Sequence, residues 1–235
     1  MIYFAHRGAN TRRVQNTVSA FALAHAQGAT HYELDVHLLK DGRLAVHHDY
    51  SLVSTTGQDV QLGTLTSRDL TRYPLINPFT PQRETIPLLE EILPIILPGM
   101  KEVNIELKND QNKYPGIEQV LLTALQQYPG LTSKVLISSF DYDALRRVRM
   151  LDAQIRIGLL TRQFDVQKAL DIHAQSVHIN HIRLTSHVIT DCHQNGLKVY
   201  CYTVNDPALA VELAARGVDG IFTDDITAFS TKNPT

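Results

Sequence analysis

Glu33 and Asp35 stand two residues apart in an apolar run that begins at His31, continues to a Lys40-Asp41-Gly42 turn, and resumes through Val46 into His47-His48-Asp49. In a strand, side chains at i and i+2 share a face, so the two carboxylates point the same way. Asp-Gly between two β-type runs is a strong hairpin signal, and it predicts a two-residue turn with Lys40 opposite Arg43. Asp35 then lies opposite His48, with Cβ atoms about 5 Å apart on one face. A slip of one residue brings in His47 instead, and the hairpin pattern alone leaves both histidines open. Two carboxylates beside a histidine suit a metal site or acid-base chemistry.

The elements that must hold these groups alternate regularly. Strands are expected at 2–5, 31–36, 102–107, 134–139, 154–160, 176–180, 198–204 and 220–223. Helices are expected at 17–28, with Asn16 as N-cap, and at 87–99, 116–127, 142–151, 165–173, 186–195 and 207–216. Pro94 should kink or shorten the 87–99 helix. Eight βα repeats predict a TIM (β/α)8 barrel, with 44–47 assigned to the hairpin after strand 2. A doubly wound open sheet is the competing arrangement, but no glycine-rich dinucleotide turn follows the first strand. Residues 50–86, rich in Ser, Thr, Gly and Pro and without sustained period, read as an irregular insertion that serves as a lid or substrate wall.

Active sites of such barrels lie at the carboxyl ends of the strands. There the sequence places His6, Arg7, Glu33, Asp35, Glu106, Lys108, Ser139, Asn180, His181, Thr203, Asn205, Asp224 and Asp225. Glu33, Asp35 and Glu106, without cysteine or a His-x-x-x-His helix, suit a hard divalent cation such as Mg²⁺ or Ca²⁺. Taken singly, each carboxylate equally suits an ion pair with Arg7 or Lys108. These two cations suit an anion, with phosphate the foremost candidate. His6 and His48 can serve as base and acid in displacement at phosphorus. His25, His173, His187 and His193 fall in expected helices and read as surface or packing residues, whereas His178 shares a strand face with Asn180.

Composition narrows the class. The chain has 235 residues, 43% hydrophobic content and a net charge of −2 with scattered basic residues, so nucleic acid and anionic membrane are not expected partners. Cys192 and Cys201 lack metal-site spacing and read as buried thiols. Residues 1–5 are too short for a signal segment, and no apolar run reaches membrane-spanning length. One soluble, cytoplasmic domain over 1–235 is expected, in an oligomeric state left open.

In order and spacing, His6-Arg7-Gly8, Asn16-Thr17, Gly28-Ala29, Glu33 and Asp35 with Val36, Lys40-Asp41-Gly42 and His48-Asp49 resemble the N-terminal signature of the glycerophosphodiester phosphodiesterases. Ile105-Glu106 with Lys108, Ser138-Ser139-Phe140, Tyr202-Thr203-Val204-Asn205 and the block from Gly217 to Asp224 resemble the later blocks of that family. The 176–181 block is most similar to its compact cytosolic bacterial branch. The resemblance implies a TIM barrel with a small insertion at 50–86, a divalent cation on Glu33, Asp35 and Glu106, and His6 with His48 as the acid/base pair. It further implies phosphate held by Arg7 and Lys108, and Tyr202 lining a glycerol pocket. The implied reaction is hydrolysis of a small-molecule glycerophosphodiester to sn-glycerol 3-phosphate and an alcohol.

Three other readings compete. A phosphodiesterase acting on lysophospholipids would call for an amphipathic membrane-binding stretch, which the sequence lacks. A non-catalytic glycerol-phosphate-binding barrel is motivated by Gln15, since Val14-Gln15-Asn16-Thr17 stands where the family usually carries Pro-Glu-Asn-Thr. A glycosidase using two carboxylates leaves His6 and His48 unexplained. An amide at position 15 supplies no negative charge. Gln15→Glu is therefore expected to tighten divalent-cation affinity or shift the pH optimum; equal affinity and superimposable pH profiles for the two proteins would contradict this.

Overall fold

The computed structural model describes residues 1–110 and 113–229. Eight parallel strands close into a barrel: β1 (Ile2–His6), β2 (His31–Leu38), β4 (Glu102–Leu107), β5 (Val135–Ser139), β6 (Arg156–Thr161), β7 (Ser176–Asn180), β8 (Lys198–Tyr202) and β9 (Gly220–Thr223). Closure comes from β1, which pairs with β2 on one side and β9 on the other. The remaining strand, β3 (Leu44–Val46), runs antiparallel to β2 outside the barrel. The TIM-barrel expectation holds, and strand bounds depart from it by a few residues at most.

Strand alternation divides the residues between two cores. Outward-facing Tyr32, Leu34, Val36, Val103, Ile105, Val135 and Ile137 are buried under the surrounding helices. Those helices are α1 (Val18–Ala26), α3 (Leu89–Ile96), α4 (Ile117–Gln126), α5 (Tyr142–Leu151), α6 (Val166–Asp171), α7 (Ser186–Gln194) and α8 (Pro207–Ala215). Inside the barrel a smaller aromatic cluster of Phe4, Leu136, Tyr200 and Phe222 fills the space below the rim. The carboxyl ends of the strands carry the Glu33, Asp35 and Glu106 cluster, while a separate Glu102–Arg156 ion pair sits at the opposite ends of β4 and β6.

Local details depart from expectation in three places. The hairpin pairs Val36 with Val46 and Leu38 with Leu44, one residue away from the two-residue-turn register. The Leu39 N–H donates to the Arg43 carbonyl and Gly42 closes back on Leu39, giving a three-residue turn with Gly42 in the left-handed region. Thr17, not Asn16, caps α1, because its hydroxyl accepts from the Ala20 N–H and the Asn16 side chain turns inward. Helix α3 is shorter than expected and ends two residues beyond Pro94.

The 50–86 segment has short helical turns, including α2 (Val53–Thr56), and a small core of its own. Leu52, Leu62, Leu65, Leu70, Leu75 and Ile86 pack on Val14, Leu39 and Ala45. Isolated leucines without a sustained period anchor loops rather than helices, which is why no element was legible there.

Helix α1 approaches the end of β1 closely. Gly8 has φ +85°, and a Cβ at that position would lie 2.7 Å from the Ala20 carbonyl carbon and Cβ. Gly8→Ala is expected to lower stability by more than about 2 kcal/mol, from left-handed strain and overpacking combined. Thermal or urea unfolding checks this, and an unchanged midpoint would contradict the close approach.

Candidate functional site

The strand ends bring together the side chains singled out from sequence. Glu33, Asp35 and Glu106 offer carboxylate oxygens within 4.8 Å of one another, and all three residues are buried. Register explains the convergence: Asp35 on β2 pairs with Glu106 on β4, and Glu33 pairs with His6 on β1. These four side chains point into the barrel mouth from three adjacent strands.

Two cations sit against the cluster. Arg7 Nε lies 3.2 Å from Asp35 Oδ2, and Lys108 Nζ lies 3.1 Å from Asp35 Oδ1 and 2.7 Å from Glu106 Oε1. The Asn16 amide donates to Asp35 Oδ2 at 2.8 Å, and the Arg7 backbone N–H donates to Glu33 Oε2 at 3.1 Å. Both Arg7 and Asn16 have left-handed backbones, φ 59° and 58°, a conformation that disfavours side chains other than glycine. The strain falls on two of the three residues that reach Asp35 from outside the strands, Lys108 being the third.

This electrostatic arrangement splits the three carboxyls. Burial alone would raise Asp35, but Lys108 and Arg7 outweigh it and hold the group well below the usual carboxylate range. Burial pushes Glu33 well up, and the neighbouring Asp35 charge adds to the rise. Burial also pushes Glu106 up to about 7, with Lys108 opposing. Burial would lower Lys108, yet Asp35 and Glu106 more than reverse it.

The residues fit a hard cation. All three acidic donors are oxygens, and beside them Asn16 Oδ1 is a buried acceptor without a hydrogen bond. A divalent cation placed among them would favour the ionised forms of Glu33 and Glu106.

Each rim histidine is backed by a carboxylate. His6 Nδ1 donates to Asp224 Oδ1 at 2.6 Å, and His48 Nδ1 donates to Asp49 Oδ1 at 2.6 Å. Asp224 is fixed in turn by the amides of Asn10 and Asn205, each at 2.7 Å. Asp49 accepts from the Ser54 hydroxyl. Burial lowers both histidines, with the neighbouring carboxylates opposing it, and each carboxylate orients its ring through Nδ1.

His48 and His47 diverge. His48 faces the carboxylates although the hairpin register sets His47 across from Asp35, because the His47 N–H makes the last ladder bond, to the Asp35 carbonyl, and the chain bends at His48. His47 lines a neighbouring cavity and lies 3.4 Å from the Thr55 hydroxyl.

A cavity of about 120 Å³ is lined by His6, Arg7, Glu33, His48 and Glu106 on its polar side. Phe140, Leu160, His178, Tyr202 and Phe222 form its apolar side. Other expected rim residues take local roles: Ser139 donates to the Leu107 carbonyl, Asn180 caps a turn at Ile182, and Asp225 caps another at Thr227. Sequence reading did not assign the partners Asp49, Asp224, Asn10 and Asn16. Asp49 and Asn16 lay inside quoted motifs and Asp224 among the expected rim residues, but its pairing with His6, 218 residues away, carried no local signal.

A parallel (β/α)8 barrel whose rim joins three buried carboxylates, two cations and two carboxylate-backed histidines is of the class of barrel phosphoric diester hydrolases. Comparison with known proteins makes the family specific. A model of the glycerophosphoryl diester phosphodiesterase family matches residues 6–228. A glycerophosphodiester phosphodiesterase of Caldanaerobacter subterraneus subsp. tengcongensis is 35% identical over 231 residues, covering 95% of this chain and 94% of that one. One from Bacillus altitudinis is also 35% identical over 231 residues, covering 94% and 93%. The structure of an Oleispira antarctica phosphodiesterase in complex with the product sn-glycerol-3-phosphate superposes with a TM-score of 0.84 at 28% identity, covering 95% of this chain and 93% of that one. The chain belongs to the glycerophosphoryl diester phosphodiesterase family and is an enzyme of phosphoric diester hydrolysis. Among the described residues, no helix is long and apolar enough to cross a membrane.

The buried histidines give the fold an acid sensitivity. Burial alone drops His178 from 6.5 to about 3, and burial is also the main cause that drops His37 to about 3 and His47 to about 4. Below an unfolded value near 6.5 the unfolded chain binds protons that the native state refuses, so their contribution is full above pH ~6.5 and is lost as pH falls toward 3 to 4. His178→Gln is expected to reduce the slope of unfolding free energy against pH in that window by up to about 1.4 kcal/mol per pH unit. Urea unfolding at a series of pH values checks it; parallel curves for both proteins would contradict the reading.

Proposed function

We propose that the chain hydrolyses glycerophosphodiesters to sn-glycerol 3-phosphate and a free alcohol, as one barrel unit over 1–235 with 50–86 as its insertion. The observation that carries this reading is the meeting, in one mouth, of the Glu33–Asp35–Glu106 cluster with His6 and His48, each on its own carboxylate. Glu33, Asp35 and Glu106 would hold a divalent cation, Mg²⁺ or Ca²⁺ by the oxygen-only donor set. That ion supplies charge stabilisation for phosphate oxygens when bound.

The side chains of the chain account for the rest. Arg7 and Lys108 orient the phosphodiester and offset the charge that develops on its oxygens. Tyr202, set edge-on to Phe140 with ring centroids 6.2 Å apart, forms a wall for the glycerol unit. One of His6 and His48, unprotonated at Nε2, takes the proton of the glycerol 2-hydroxyl as that oxygen attacks phosphorus, and the other, entering the step as an imidazolium on its carboxylate, gives its Nε2 proton to the departing alcohol oxygen as the P–O bond breaks. The resulting cyclic phosphate is opened by water in the reverse proton sense, restoring both imidazoles. Asp224 and Asp49 hold each ring in the tautomer that presents Nε2 to the mouth.

Release of sn-glycerol 3-phosphate from glycerophosphoethanolamine is expected with added Mg²⁺ or Ca²⁺ and absent after chelation. His6→Ala and His48→Ala should each lower kcat by about 10²- to 10⁴-fold, and Asp224→Asn by less. A folded His48→Ala protein with the parent rate, or full activity in chelator, would refute the assignment.

A further inference from the structure

His6 and Arg7 line a second cavity as well as the first. This second space, about 510 Å³, is lined in part by the 50–86 insertion, with Ile76, Pro78 and Phe79 among its residues, and its lining includes neither Glu33 nor Glu106. Ile76 is 60% exposed and Phe79 42%, so the cavity has an apolar lip on the molecular surface.

The charged groups on its wall are Arg7, Arg13 and Asp224. Arg7 is engaged by Asp35 and by the Gln15 side-chain oxygen, which accepts from it at 2.8 Å. Asp224 already accepts hydrogen bonds from His6, Asn10 and Asn205. Arg13 is different: among the described residues it forms no ion pair, and its guanidinium donates to the Arg12 carbonyl. The wall therefore carries one carboxylate, Asp224, whose two oxygens are both engaged, and one cation, Arg13, with no acidic partner among the described residues. Phe79 is the one Phe, Tyr or Trp in its lining, too little for the cage that holds a quaternary ammonium.

We infer that this second cavity receives the alcohol that leaves, and that Arg13 makes it select head groups bearing an anionic group over quaternary ammonium head groups. The inference rests on the hydrolase reading above. A phosphodiester held at Arg7 between the two cavities must direct its two ester arms into them. The smaller cavity, closed by Phe140, Tyr202 and Phe222, takes the glycerol arm. The larger one, with its lip on the surface, takes the variable arm.

The test compares kcat/KM of the full chain, by sn-glycerol 3-phosphate release at low ionic strength, on three substrates: glycerophosphocholine, glycerophosphoinositol and a glycerophosphoinositol phosphorylated on the ring. The expected order is phosphorylated inositol above inositol above choline, with about fivefold between the two inositol substrates, the gap narrowing as KCl is added. Arg13→Glu should invert the order, and Arg13→Gln should flatten it. Equal rates on all three substrates at low salt, or an unchanged ranking in both variants, overturns the inference while leaving the hydrolase reading intact. Absence of release from every substrate overturns that reading and this inference together.

Discussion

A carboxylate buried without exposure, Asp35, is the constraint around which the molecule is arranged. An ionised group in that position is tolerated only if opposite charge and hydrogen bonds replace its water. Arg7, Lys108 and Asn16 do so, and they arrive from the end of β1, the end of β4 and the turn before α1. Removing one partner of such a pair costs about 3–5 kcal/mol, so barrel closure and the charge cluster stabilise each other. The left-handed backbones of Arg7 and Asn16 are held in place by that same carboxylate.

Around this centre the chain separates scaffold from chemistry by strand alternation. Outward side chains of β2, β4 and β5 are aliphatic and lock the strands under helices. Inward side chains change along each strand from aromatic packing in the barrel to polar groups at the mouth. The strands thus position functional atoms with the rigidity of a packed core, while loops after β1, β3 and β9 supply the carboxylates and amides that orient the two histidines. The 50–86 insertion, with its own leucine core, lines the second of the two cavities that share His6 and Arg7.

Much of this was legible in the sequence. Glu33 and Asp35 alternate with apolar residues, so their common face follows from backbone geometry alone. The regular succession of apolar strands and capped helices indicates the barrel, and the barrel in turn indicates which end bears polar residues. The hairpin was legible as a hairpin but not in its register, because Lys40-Asp41-Gly42 supports a three-residue turn as readily as a two-residue one. The choice of His48 over His47 followed from family resemblance and from the bend at His48, not from pairing. Thr17 and Asn16 are both good N-caps, and only the pull of Asp35 on the Asn16 amide leaves the cap to Thr17.

By itself the sequence determined what obeys short periods: which segments are strands, which side chains share a face, and that three carboxylates, two cations and two histidines stand at strand ends. Tertiary structure alone decided what depends on meetings across the chain. Asp224 reaches His6 only because β9 closes against β1, and the fold leaves Arg13 without an acidic partner among the described residues. Charge and hydrogen-bond compensation is a property of neighbours in space, and residues more than two hundred positions apart become neighbours only when the barrel shuts.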